Sequence, residues 1–244
     1  MKKKAIIIAA IACAAVAVLG TGGYLAKGII EYNAIEQACP SVDICAEPYP
    51  YADIEIPENF RELSVKGVDF MAPDGLYWKY PEETEGARSG LLVNGEIDDE
   101  DYIGVLVLDP DTFDIESEEL MSAEMKKKIR KMGYDVPEDM YSLMKLIYSI
   151  KLEDCNKFSP SEVSAFKSLA LYKELIVSED EKVYSSDSEG FDMFIKESAS
   201  DGNYQLDVDC YEKNDPNRLH IVVVMCADPD TARQIVKTIK TAEE

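Results

Sequence analysis

The 22 residues from Ala5 to Ala26 carry no charge, and most are Ala, Ile, Val or Leu. Wound as a helix at about 1.5 Å per residue they reach about 33 Å, enough for a hydrocarbon core of about 30 Å. Lys2, Lys3 and Lys4 precede the stretch, and only Lys27 follows before acidic residues take over. The positive-inside bias then keeps the N-terminus cytoplasmic and sends everything from Gly28 onward across the membrane. The sequence predicts a single-pass membrane protein, held by one N-terminal transmembrane helix with its C-terminal domain outside the cytoplasm.

Two other fates compete for the same stretch. "AVA" at Ala15–Ala17 fits the small-x-small site of a cleaved signal peptide. Cleavage there leaves Val18, Leu19, Tyr24 and Leu25 at the front of the mature chain, an apolar start for a secreted protein. "AIAC" at Ala10–Cys13 resembles a bacterial lipobox, with Ala where its first position takes Leu. Anchor, secreted protein and lipoprotein share one outcome, export of the domain.

From Gly28 onward 21 basic residues face 48 acidic ones, a net of −27. Such a surface repels nucleic acid and the anionic cytoplasmic leaflet, which recruit Lys and Arg clusters. A nucleic-acid partner is therefore rejected, and solubility accounts for much of the acidity. Apolar residues make up 46% of the chain, enough to fold the exported part around a core.

The pattern divides the chain into residues 1–27, an anchor or signal segment; 28–58, a juxtamembrane helix and Pro-rich linker; and 59–244, one exported domain. "KGIIEYNAIEQA" has helical apolar spacing, and "CPSVDICAEPYPYADIEIPE" has four prolines and little periodicity. Short strands are expected at 62–73, 87–95 and 102–108. Helices follow at 117–133, at 137–150 with Pro137 at the first helical position, and at 159–177 with a Ser159/Glu162 capping box. Strands return at 181–184, 190–198, 203–213 and 218–227. Tyr204, Leu206, Val208 and Cys210 alternate there with Gln205, Asp207, Asp209 and Tyr211, the mark of a sheet with one buried and one wet face. A helix at 229–240, capped by Asp228, closes the chain. Segregated runs of strands and helices imply an α+β fold with a mainly antiparallel sheet, a helical insertion and a C-terminal helix packed on the sheet.

A hairpin opening on "VKGVDFMAPDG", a helical insertion and a closing meander ending in "LHIVVVMCADPDTARQIVKTIK" resemble the Mog1/PsbP-like α/β sandwich over about residues 60–240. The resemblance implies a central last strand with a C-terminal helix laid across the sheet. It also implies binding or assembly roles more often than catalysis, and it carries over no functional residues.

Candidate chemistry is sparse. Cys13 lies in the apolar stretch, leaving Cys39, Cys45, Cys155, Cys210 and Cys226, an odd number with no CxxC. Cys39 and Cys45, with five residues between them, are a candidate disulfide. Counting back from the "NDPN" turn sets Cys210 opposite about Ile221, out of register with Cys226. His220 is the single histidine, so no multi-histidine zinc site is available, and no GxSxG accompanies it. "DPDTFD" and "EIDDED" hold several acids but lack the EF-hand glycine and glutamate, and read as solvated turns. "DPDT" occurs twice, after an apolar strand each time. "LYWKYP" places Tyr77, Trp78 and Tyr80 together as a candidate contact surface. No catalytic residue, metal ligand or cofactor is assigned. The expected function is a membrane-anchored extracytoplasmic binding or accessory module with an envelope or membrane protein partner. The alternative is an extracytoplasmic hydrolase using acidic residues, with or without a metal.

Overall fold

Strand and helix signals resolve into an α+β fold built on one large mixed sheet. The computed structural model describes residues 32–79, 89–96, 99, 101–110, 121–200 and 203–242. The apolar N-terminal stretch lies outside the described residues. Among those described, no helix is long and apolar enough to cross a membrane.

The first strands are β1 (Glu47–Pro48), β2 (Phe60–Val65), β3 (Val68–Pro73), β4 (Tyr77–Trp78), β5 (Ser89–Val93) and β6 (Ile103–Leu108). Helices α1 (Ala123–Lys131), α2 (Met140–Ser149) and α3 (Pro160–Ile176) follow. Strands β7 (Lys182–Asp187), β8 (Phe191–Ser200), β9 (Asn203–Glu212) and β10 (Asp215–Cys226), helix α4 (Pro229–Lys237) and strand β11 (Lys240–Thr241) complete the chain. Eight strands hydrogen-bond in the order β1-β7-β8-β9-β10-β6-β5-β4, and β11-β3-β2 form a separate small sheet. Pairing is antiparallel except between β1 and β7, which run parallel. The apolar run of β10 does sit inside the sheet, between β9 and β6.

Several boundaries differ from expectation for local reasons. The strand expected over 62–73 folds back on itself, because Lys66 (φ 50°) and Gly67 (φ 82°) both take positive φ and form a two-residue hairpin turn between β2 and β3. Helix α2 begins three residues after Pro137, where Asp139 accepts the Ser142 N–H at 2.7 Å and Ser142 Oγ takes the Asp139 N–H at 3.1 Å. At α3 the expected start holds, with the Glu162 carboxylate accepting the Ser159 N–H at 2.7 Å. Helix α4 stops at Lys237, and the chain turns out to pair Lys240 and Thr241 with β3.

Two cores form, one on each face of the large sheet. On the first face Ile195, Leu206, Val208, Val222, Val224 and Val105 pack against Val68, Phe70 and Ala72 of the small sheet and Ala232, Ile235 and Val236 of α4. On the second, Val183, Phe194 and Tyr211 pack under Ile147, Tyr148, Phe166, Leu169 and Ala170 of α2 and α3. Each fully buried side chain of this size contributes roughly 1.5–3 kcal/mol.

The segment expected to be a Pro-rich linker is packed into both cores. Residues 32–38 are helical, and Ile35, Cys39 and Val42 are buried in the helix-side core. Lys173 Nζ, on α3, donates to the carbonyls of Val42 (2.8 Å) and Ile150 (3.1 Å), while Glu174 Oε2 accepts the Ser41 N–H at 3.0 Å. Asp43 Oδ1 accepts the Leu152 N–H at 2.8 Å. β1 then joins the sheet edge, and Tyr49 enters the other core. Prolines spoil periodicity without preventing burial, and here side chains of α3 satisfy backbone groups that a strand would pair.

Candidate interaction face

Register decides which side chains stand together on the helix-side face of the sheet. Across four strands one row reads Phe194, Asp209, Ile221, Leu108, and the next reads Lys196, Asp207, Val223, Leu106. Leu91 on β5 extends the second row, and Met225 lies two residues beyond Val223 on the same face. Helices α2 and α3 cover the β7–β9 part of this face and the start of β10. No described helix covers the β10–β6–β5 part. Leu91, Leu106, Leu108, Ile221, Val223 and Met225 are half-buried there and belong to neither core. Six neighbouring apolar side chains outside both cores make an apolar strip on an otherwise acidic molecule.

The strip is bordered by a polar group at the edge of the helical layer. Asp209 is 7% exposed, and among the described residues its one ion pair is with Lys196 Nζ at 4.0 Å. Burial raises its carboxyl above the ordinary aspartate range, opposed by the Lys196 ammonium. Gln205 Nε2 donates to Asp207 Oδ1 at 2.8 Å. Tyr148 packs its ring 4.7 Å from that of Phe194, the direct cross-strand neighbour of Asp209. The Tyr148 hydroxyl is buried and has no hydrogen-bond partner. Burial, then the Asp209 charge, push the Tyr148 and Tyr211 hydroxyls up, and Tyr172 on α3 acts on both. Tyr172 is itself exposed, beside Leu171 and Leu175 on the outer side of α3, and Leu175 is 83% exposed.

Gln205, Asp207, Asp209 and Tyr211, expected together on one wet face, differ in burial. Asp209 and Tyr211 are buried because α2 and α3 pack over this half of the sheet. A bulky aromatic among the supposed wet positions, Tyr211, is the available signal.

The expected contact surface is only partly formed. Tyr77 is 52% exposed on β4, at the sheet edge. Trp78 turns inward against the first core, where it fills the space a Cβ on Gly90 would take. Tyr80 lies outside the described residues. The structure does not join Cys39 to Cys45: Cys39 is buried, and Cys45 Sγ lies 3.7 Å from the Ile150 carbonyl. Cys210 faces His220 across the ladder, one residue from the expected partner, and Cys226 faces Tyr204. Of "EIDDED" only part is described; Asp99 Oδ2 accepts the Glu96 N–H at 2.8 Å as a turn cap. Most of "DPDTFD" lies outside the described residues, and no group of three His, Cys, Asp or Glu is placed to hold a metal ion among those described.

Of two other polar clusters, one is filled from within, and in the other His220 Nδ1 is buried without a hydrogen-bond partner among the described residues. Arg233 on α4 sits 4.1 Å from the Tyr51 ring centroid, donates to Tyr204 Oη at 3.1 Å and pairs with Glu197 at 3.4 Å and Asp230 at 2.9 Å. The protein's own cation thus occupies that aromatic cage. His220, 3% exposed, bonds Glu212 Oε1 through Nε2 at 2.8 Å and meets the Phe191 ring edge-on at 5.3 Å, a strand histidine held in place.

No protein-family model matches this chain, and no curated protein sequence matches it. The geometry of the helix-side face therefore carries the functional argument.

Proposed function

We propose that this chain is a membrane-anchored binding or accessory module that works outside the cytoplasm and engages an envelope or membrane protein through the helix-side face of its sheet. The observation that carries the reading is the apolar strip Leu91, Leu106, Leu108, Ile221, Val223 and Met225, held in register outside both cores and bordered by Asp207 and Asp209. Apolar surface beside buried acid suits a protein partner whose own apolar patch is bordered by basic residues. The uncharged 22-residue stretch with lysines on its cytoplasmic side supports the anchor. The Mog1/PsbP-like element order supports a binding role over catalysis.

The test combines topology with contact. A tag fused after Glu244 is expected to be cut by protease added to intact cells, and a protected tag overturns the export argument. A photo-crosslinking residue at Val223 is expected to capture an extracytoplasmic protein, and Leu106→Lys is expected to abolish that capture. Equal capture from a crosslinker on α1 at Lys127 removes the case for this face.

A hydrolase reading rests on one observation, the raised carboxyl of Asp209, which suits a general acid. Turnover of an ester or glycoside by the purified chain, lost in Asp209→Asn, would favour it over the binding module.

A further inference from the structure

Three of the four large apolar side chains that stand exposed among the described residues fall within five residues of one helix. Leu171, Tyr172 and Leu175 are 42%, 41% and 83% exposed on the outer side of α3; the fourth is Tyr77. A lone exposed leucine is ordinary, but a cluster on one helix face marks a contact. The other exposed positions described on α3 are three serines and Lys167, so this face shows no acid in a chain that holds 48. Both glutamates of the helix are taken up by backbone N–H groups, Glu162 at Ser159 and Glu174 at Ser41.

The chain itself ties this helix to the anchor. The uncharged stretch ends at Ala26 and the described chain begins at Tyr32, a span of no more than about 22 Å however it runs. Just beyond Tyr32, Ile35, Cys39 and Val42 are buried in the core that α3 shares. Lys173 Nζ holds the Val42 carbonyl at 2.8 Å and Glu174 the Ser41 N–H. The two residues that grip this segment thus stand between Tyr172 and Leu175 in the chain.

We propose that the outer face of α3 around Leu171, Tyr172 and Leu175 seats the domain on the extracytoplasmic leaflet of the membrane that holds the anchor. The inference rests on the reading of the uncharged stretch as an anchor and adds the face that the domain turns to the lipid. Leu171 and Leu175 enter the boundary between headgroups and acyl chains, where an apolar helix face is buried about 5–10 Å deep. Tyr172 lays its ring in the apolar zone with its hydroxyl among the headgroups, and Lys167 extends its ammonium to phosphate oxygens. A net of −27 keeps the rest of the exported part away from lipid phosphate, which leaves the acid-free face to approach it.

The experiment uses the full chain in phosphatidylcholine vesicles, either plain or brominated near the carbonyl end of the acyl chains. Leu175→Trp is the depth probe, and Asp53→Trp, at an exposed site beside α4, is the control. Bromine is expected to cut the emission that Leu175→Trp adds to the Trp78 background about twofold, and to leave that of Asp53→Trp unchanged. Leu175→Glu, read through Tyr172→Trp, is expected to abolish the quenching and to leave the urea midpoint in micelles in place. A role inside the fold would lower that midpoint and overturn the seating. Equal quenching at both probes, or none at Leu175→Trp in a chain that floats with the vesicles, overturns the seating and leaves the anchor standing. Blue-shifted Leu175→Trp emission without quenching also overturns it: dependence on protein density gives the face to a second copy, and independence gives it to another segment of the chain. A chain that fails to float overturns the anchor, and the seating with it.

Discussion

At the scale of single residues, the fold depends on a few positions that have no substitute. Gly190 takes φ +87°, and a Cβ there would run into the Thr241 side chain, because β11 returns past the β7–β8 turn. Both the left-handed backbone and the contact oppose a side chain. Gly190→Ala is expected to lower unfolding free energy by about 1–3 kcal/mol in urea titrations. Lys173 is wholly buried with carbonyl partners, and burial lowers its pKa to about 8. Its Nζ holds the 40–43 turn and the end of α2 to α3 at one point. Lys173→Ala leaves both carbonyls without their donor and is expected to cost about 2–4 kcal/mol. Amide exchange should locate the loss, with protection falling over residues 40–45 and holding on β8 and β9. Little of this was legible beforehand, since a lysine within a helical pattern looks like any solvated charge.

At the scale of elements, legibility followed how local the determinants were. The capping groups of α3 and α4 act within four residues, and both helices start where Ser159 and Asp228 place them. Asp228 accepts from the N–H of Thr231 at 3.0 Å, and hydrogen bonds from Thr231 hold its carboxyl below the usual aspartate range. Asp228→Ala is expected to lower stability by about 1 kcal/mol. Sign fixes the pH window: a depressed folded pKa adds stability above the unfolded value near 3.9, lost as pH falls through the folded one. The wild type's advantage over Asp228→Ala should therefore shrink on acidification in matched unfolding curves. The β2–β3 hairpin was missed as two strands because its turn is only Lys66 and Gly67. β1 was missed because a two-residue strand has no period to detect, and its parallel partner β7 lies more than 130 residues away.

At the scale of the whole molecule, burial of ionisable groups dominates the response to pH. Burial pushes the Cys210 thiol well above its ordinary value, that of Cys226 to about 12, and that of Cys39 upward. Unfolded thiols ionise near pH 8.5 while these folded ones stay protonated, so stability falls as pH rises above about 8.5. Lys173 acts in the opposite sense between about pH 8 and its unfolded value near 10.4, where the unfolded chain binds the extra proton. Three thiols outweigh one lysine, and the buried tyrosines add to the loss near pH 10. Urea unfolding in reductant from pH 7 to 10 is expected to show a declining midpoint, with a shallower decline in Cys226→Ala. A midpoint that rises over this range would contradict the burial of these thiols. By itself the sequence determined the acidic balance, the α+β class and the capped helices, because charge counts, element order and caps are properties of neighbouring residues. Tertiary structure alone decided that the Pro-rich segment is core and that Asp209 is buried while Tyr77 is not. It also decided that six apolar side chains on three strands stand together outside both cores. Those outcomes depend on which strands pair and which half of a sheet the helices cover, and such pairing joins residues too far apart for any local pattern to record.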